Sequence, residues 1–250
     1  GFGKSVGTIQ IDELGMLETP IVLTNTLSVG TAYDAVVDYM LERNPEIGDT
    51  TGTVNPVVCE CNDGYLNDIR GKHVKKNHVF EALDHATDEV LEGAVGAGTG
   101  MSCFGMKGGI GTSSRIVELD QVNYTLGVLV LSNFGRMKDF LLDGEKVGRK
   151  MMNASQGTDK GSIIVIMATD IPLSEHQLKR VIKRTAIGIE RTGSFGANGS
   201  GEIAIGFSTA VRIPHDERKA VIDMKRVHED RLDDIFRAVA EATEESILNS

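Results

Sequence analysis

The sequence predicts an α/β (α+β) protein in which helices pack on a layered, mixed sheet. Three observations lead there. Residues 21–29, 124–132, 162–169 and 201–213 are rich in β-branched and apolar side chains and read as strands. Other stretches repeat apolar residues at helical spacing. The two kinds do not alternate as strict β-α-β units, which argues against a doubly wound parallel sheet. No internal repeat or linker marks a second domain. A chain of 250 residues can bury about 70–75% of its extended surface, enough for one full core.

Taken in order, residues 6–11 and 21–29 read as strands, with Pro20 tolerated at the start of the second. Residues 31–43 form a helix with Ala35, Val36, Tyr39 and Met40 at helical spacing. Residues 44–55, polar with two glycines and Pro45, are a loop. Residues 56–62 form a short strand ending in the Asp63-Gly64 turn signal. Residues 77–91 form a helix with Val79, Leu83, Ala86, Val90 and Leu91 on one face and Asn77 as its N-cap. In the glycine-rich stretch 93–111 the glycines permit close backbone approach within a packed sheet. The strand over 124–132 delivers Asn133 at its C-terminal end. Ser174 opens a helix running to about Arg191, with Gln177 completing a capping box and Gly193 closing it. A strand over 201–213 and a terminal helix over 228–248, with Leu232, Ile235, Val239 and Ala242 on one side, complete the chain.

Composition removes several functions. With 40% hydrophobic and 25% charged residues the chain is an ordinary globular one. Its net charge of −10 argues against nucleic acid or an anionic membrane as main partner. No apolar run is long enough to span a bilayer, and the N-terminus shows no signal peptide. Cys59 and Cys61 alternate along a strand and point to one face; with Cys103 they read as structural thiols of a reducing compartment, so the expected location is cytoplasmic. Nucleotide binding is rejected. Gly96, Gly98 and Gly100 miss the dinucleotide spacing because position 101 is Met, and Met106 separates Gly105 from Lys107. The histidines show no zinc spacing, so neither metal nor cofactor is expected. No G-x-S-x-G elbow surrounds Ser102 or Ser200.

A hydrolase on this chain must therefore work without a histidine base, and Gly161-Ser162 offers a way. Residues 153–161 are small and polar and read as an exposed, mobile loop. Residues 162–169 read as a strand buried on both faces. Cutting before Ser162 would place a nucleophilic hydroxyl and a free α-amine on one residue, so that the amine can act as base for its own side chain. The amine's ordinary pKa of about 7.7–8.0 suits that task. By itself a Gly-Ser before a strand is more often a plain loop end.

Further stretches strengthen the reading: Leu23-Thr24-Asn25-Thr26-Leu27-Ser28-Val29-Gly30, Asp63-Gly64-Tyr65-Leu66-Asn67-Asp68, Gly96 to Met101, and Lys107 to Arg115. With these in order over nearly its whole length, the chain resembles the self-processing serine aminopeptidases, the family of L-aminopeptidase/D-Ala-esterase and the β-peptidyl aminopeptidases. The resemblance implies an αββα sandwich, two mixed sheets between helix layers. It implies cleavage into residues 1–161 and 162–250, which stay together as α and β chains, and a tetramer of such pairs. In the family a segment precedes Gly-Phe-Gly-Lys, so this chain, starting at Gly1 without Met, is read as lacking its N-terminal part. Expected substrates are small peptides or aminoacyl amides and esters.

The candidate site follows. Ser162 is the nucleophile. Asn133, where an apolar strand meets a loop, is the oxyanion donor, with Tyr65 as a second. Ser200 and Glu202 match the family's Ser-Gly-Glu pair and, two residues apart, share a strand face. Glu60 matches the acidic position that meets the substrate's amino group, where an ammonium entering a dry pocket needs a counter-charge. Cys61-Asn62 departs from the family's commoner wording next to Glu60 and Tyr65. Two other readings stand beside this one. The first is an acyltransferase resembling ornithine acetyltransferase, where a Thr nucleophile is usual. The second is a non-catalytic assembly subunit, which would be expected to have lost one of the candidate site residues.

Overall fold

The computed structural model describes residues 3–151, 161–215 and 219–250; most of the expected loop over 153–161 lies outside them. The first elements are α1 (Thr8–Leu14), β1 (Ile21–Asn25), α2 (Val29–Arg43), β2 (Val57–Cys61) and α3 (Lys76–Asp84). Short strands β3 (Ser102–Cys103) and β4 (Met106–Lys107) precede the long pair β5 (Gly109–Leu119) and β6 (Val122–Asn133). Then come α4 (Val147–Met151), β7 (Ser162–Thr169), α5 (Glu175–Ile182), α6 (Thr185–Arg191), β8 (Gly201–Ser208) and α7 (Asp233–Asn249).

The layers follow from side-chain alternation. Strands β5-β6-β7-β8 form one mixed sheet, antiparallel except for the parallel β7–β8 pair. On β6 and β7, Leu126, Val128, Val130, Ile163, Val165 and Met167 turn to one side, into a core shared with Val181, Ile189, Ile235 and Val239 of α5, α6 and α7. Leu131, Ile164 and Ile205 turn to the other side and meet Val57, Cys59 and Cys61 of β2, which pairs in parallel with β1. The far side of β1–β2 is covered by α2 and α3 through Val29, Ala32, Val36, Val58 and Val79. Helix, sheet, sheet, helix: the αββα sandwich is present. Each fully buried Val, Ile or Leu contributes about 1.5–3 kcal/mol, and strand β7, apolar on both faces, belongs to two of these cores.

Several expected elements shift, each for a local reason. Residues 6–11 are not a strand. Val6 makes only an isolated bridge to Val58; Gly7 then takes φ 88°, and α1 starts at once. Gly15 at φ 64° ends α1 with its N–H on Ile11 O, the left-handed C-cap that glycine permits. Strand β1 stops at Asn25, four residues early, because residues 26–28 form a 3-10 turn leading into α2. Helix α3 starts at Lys76 rather than after an Asn77 cap and ends at Asp84. Beyond it Glu92 is drawn to Thr112 N and Gly93 pairs with Ile110, which leaves Val90 and Leu91 exposed. The predicted helix from Ser174 keeps its capping box but divides into α5 and α6. At the break Thr185 Oγ1 donates to Ile182 O at 2.7 Å, a local side-chain bond that competes with the helical ladder. Strand β8 stops at Ser208, well short of 213. A 3-10 turn, Glu229–Arg231, precedes α7, which starts at Asp233 rather than 228. Sequence patterning passes over β3, β4, α4 and the long strand β5, whose glycines and serines hide the alternation seen at Val117 and Leu119.

Candidate active site

Four strand ends converge. Ser162 opens β7, and its partner across the antiparallel pair is Asn133, the last residue of β6. Its partner on the parallel side is Gly201, the first residue of β8. From the second sheet Cys61, the last residue of β2, donates its Sγ–H to Ser162 O and Leu131 O, both at 3.5 Å. Burial pushes the Cys61 thiol far above its ordinary range, so it serves as a neutral hydrophobe beneath the nucleophile. Ser162 is 8% exposed.

The Asn133 amide is gripped from both sides. Its Oδ1 accepts from Ser102 N at 2.9 Å, and its Nδ2 donates to Asn62 O at 2.8 Å. A donor on one side and an acceptor on the other fix which end of the amide is which. One hydrogen on Nδ2 remains, as an oxyanion donor requires. Behind it Phe104 holds φ 50° and packs edge-on to Phe134 and tilted against Phe140, anchoring the end of β3, which carries Ser102.

Gly161 cannot be another residue here. A Cβ would fall 1.8 Å from Asn133 O, while its own carbonyl accepts from Gly201 N at 3.2 Å. Ser200 is fully buried and its Oγ has no hydrogen-bond partner among the described residues, a costly state for a hydroxyl. Glu202 is exposed and stands in register with Ile163, and its carboxylate makes no ion pair among the described residues. Glu60, 4% exposed, alternates to the α2 side of β2. It accepts from Lys4 N at 3.0 Å and from the Thr26 hydroxyl. Both of these donors are neutral groups. Tyr65 does not join the group: it is 84% exposed on the turn after β2, and its hydroxyl has no partner among the described residues. The residues that hold Asn133, Ser102 and Asn62, act through backbone atoms, which no side-chain pattern announces.

The glycine-rich segment is packed as expected. A Cβ on Gly98 would lie 2.4 Å from Gly93 O, and one on Gly109 2.0 Å from the same oxygen. Lys107 Nζ donates to Gly98 O at 2.8 Å and Gly108 O at 2.6 Å, so it ties backbone together.

Known proteins are similar to this chain in sequence and fold. The model of peptidase family S58 matches residues 1–250. A β-peptidyl aminopeptidase of Sphingosinicella microcystinivorans is 43% identical over 264 aligned positions, covering 99% of this chain and 66% of that protein. The chain thus spans about two thirds of the length of that relative. Among solved structures, a Pyrococcus horikoshii OT3 protein superposes with TM-score 0.95 at 56% identity, over 100% of this chain and 69% of the other. The L-aminopeptidase D-Ala-esterase/amidase of Ochrobactrum anthropi, a serine aminopeptidase and a variant of the Ntn hydrolase fold, superposes with TM-score 0.93 at 40% identity, over 99% and 69%. With its motifs, its layers and its full length all matched, the chain belongs to peptidase family S58.

Proposed function

We propose that this chain is the catalytic unit of an N-terminal-nucleophile serine aminopeptidase that matures by cutting itself at Gly161-Ser162. The observation that carries the reading is the Ser162–Asn133 pair, a hydroxyl and a doubly gripped amide on residues directly opposite each other at two strand ends. In maturation Ser162 Oγ attacks the Gly161 carbonyl and passes its proton to the leaving Ser162 nitrogen. That step breaks the Gly161 C–Ser162 N bond and frees the α-amine; water then hydrolyses the ester, which leaves a carboxylate on Gly161 and restores the hydroxyl. Residues 1–161 and 162–250 remain together as one domain, since β7 is the central partner of β6 and β8.

The mature site divides its labour. The α-amine of Ser162 takes the proton from Oγ as it attacks the amide of an N-terminal residue. Asn133 stabilises the oxyanion. Ser200 and Glu202 flank Gly201, the register neighbour of Ser162. The Ser200 hydroxyl, buried with no partner among the described residues, suits an amine that exists only after cleavage, and Glu202 adds the charge that favours its protonated form. Glu60 offers the substrate's ammonium a buried carboxylate whose oxygens have further lone pairs beyond Lys4 N and Thr26. Substrates are small peptides or aminoacyl amides and esters, and no cofactor enters the chemistry. The thiols of Cys59, Cys61 and Cys103, which form no disulfide among the described residues, support a reducing, cytoplasmic setting.

Denaturing gels of the full-length gene product test the first step. Wild type should run as two bands and Ser162→Ala as one. Two bands from the alanine variant would remove Ser162 as the nucleophile.

A further inference from the structure

Three of the stretches that carry the family likeness contribute residues that the chemistry above leaves idle: Asn25, Asp63 with Asn67, and Gly100. They meet in one place. Asn25 Nδ2 donates to Asp63 Oδ2 at 3.1 Å, and Asn67 Nδ2 donates to the same oxygen at 2.8 Å. A Cβ on Gly100 would stand 2.7 Å from Asp63 Cβ, so the chain there lies directly against the carboxylate. The Asp63 carbonyl also accepts from Leu66 N and Asn67 N, closing the turn. Asp63 and Asn25 are each 6% exposed, and Oδ1 of each is buried without a hydrogen-bond partner among the described residues. No cation pairs with Asp63 among the described residues. A buried carboxylate left this short of partners calls for a reason beyond stability.

The reason lies next door. Asn62, one residue before Asp63, supplies the carbonyl that accepts from Asn133 Nδ2, and Ser102, two residues after Gly100, supplies the N–H that binds Asn133 Oδ1. Both grips on the amide therefore extend from segments that pack together at Asp63. The terminal torsion of an Asn side chain is broad and has no sharp preference of its own. An oxyanion donor nevertheless acts only if it is oriented beforehand. We propose that Asp63 is a positioning residue for the oxyanion donor: it locks the turn over 62–67 to the segment 100–102, so that Asn62 O and Ser102 N hold Asn133 with one Nδ2 hydrogen left for the reacting oxygen. This rests on the reading of Asn133 as that donor.

The test uses the cleaved enzyme, its maturation checked by intact mass, on an aminoacyl p-nitroanilide. Asp63→Ala is expected to lower kcat about 10–100-fold with KM little changed. Asp63→Asn, which keeps an oxygen for Asn25 and Asn67, should recover most of the loss. In the Asn133→Ala background, Asp63→Ala should cost nothing further, because it acts through that amide. A wild-type kcat in Asp63→Ala, or a loss that adds in full to that of Asn133→Ala, overturns the inference. Should Asp63→Ala fail to fold or mature, Asn67→Ala removes one of the two donors from an exposed position. A kcat loss that vanishes in the Asn133→Ala background supports the proposal; no loss, or one that persists there, overturns it. If Asn133→Ala itself keeps full kcat, the oxyanion reading has failed; if it falls and Asp63→Ala does not, only this inference has.

Discussion

Asn133 and Glu60 act at different moments of the proposed reaction, and that separates them in kinetics. The Asn133 amide meets charge that exists only in the transition state, so Asn133→Ala in the mature enzyme should lower kcat by about two to three orders of magnitude at nearly constant KM. Glu60 meets a charge already present in the ground state. Glu60→Gln should instead mainly raise KM for substrates with a free amine and matter less for N-blocked esters. Steady-state kinetics on one aminoacyl p-nitroanilide and one N-blocked ester checks both. An Asn133→Ala enzyme with unchanged kcat would reduce that amide to a strand-end cap. Gly161 belongs to the same scale: its missing Cβ is what lets the chain pass Asn133 O, so the residue before the nucleophile is set by space.

Among the helices, α7 packs most closely on the catalytic sheet, against β5 and β6. Its Ile235, Val239, Ala242 and Ile247 are buried, and Ser246 Oγ donates to Val128 O at 3.1 Å. The close seating of α7 on β5 depends on Gly111, where a Cβ would lie 1.9 Å from Ser246 O. The contact is backbone against backbone, which no rotamer change relieves. Gly111→Ala should therefore destabilise the protein by about 1–3 kcal/mol. Thermal unfolding would show it as a lowered Tm, and an unchanged Tm would mean that α7 can shift outward freely. Activity should fall only in proportion to the unfolded fraction, since Gly111 lies on the edge strand away from Ser162.

At the scale of the whole molecule, the proposed assembly is a tetramer of processed pairs. Exposed apolar side chains such as Ile116, Val122, Val221 and Met224 support extensive subunit contact, since covering them removes apolar surface from water. Light scattering of the full-length protein at micromolar concentration should give a mass near four copies. A stable monomer across that range would contradict it.

Local patterning was sufficient for the outline. The β-branched run after Gly161 is a strand, the apolar run ending at Asn133 is another, and Ser174 caps a helix, because each rests on interactions within a few residues. Cys59 and Cys61 share a face because strand side chains alternate. The family-bearing motifs made the αββα layering legible as a whole, which alternation alone left as an unspecified layered sheet. Where neighbours in space outweighed neighbours in sequence, the pattern misled. Apolar residues at 90 and 91 lie outside any helix because Glu92 and Gly93 bind the sheet edge, and Tyr65 stands in solvent although its motif borders the site. Only the tertiary structure decided how Asn133 is held, because Ser102 and Asn62 grip it with backbone atoms from segments 31 and 71 residues away. Backbone groups are the same in every residue, so sequence cannot mark which of them will meet; that is settled by how the sheets stack.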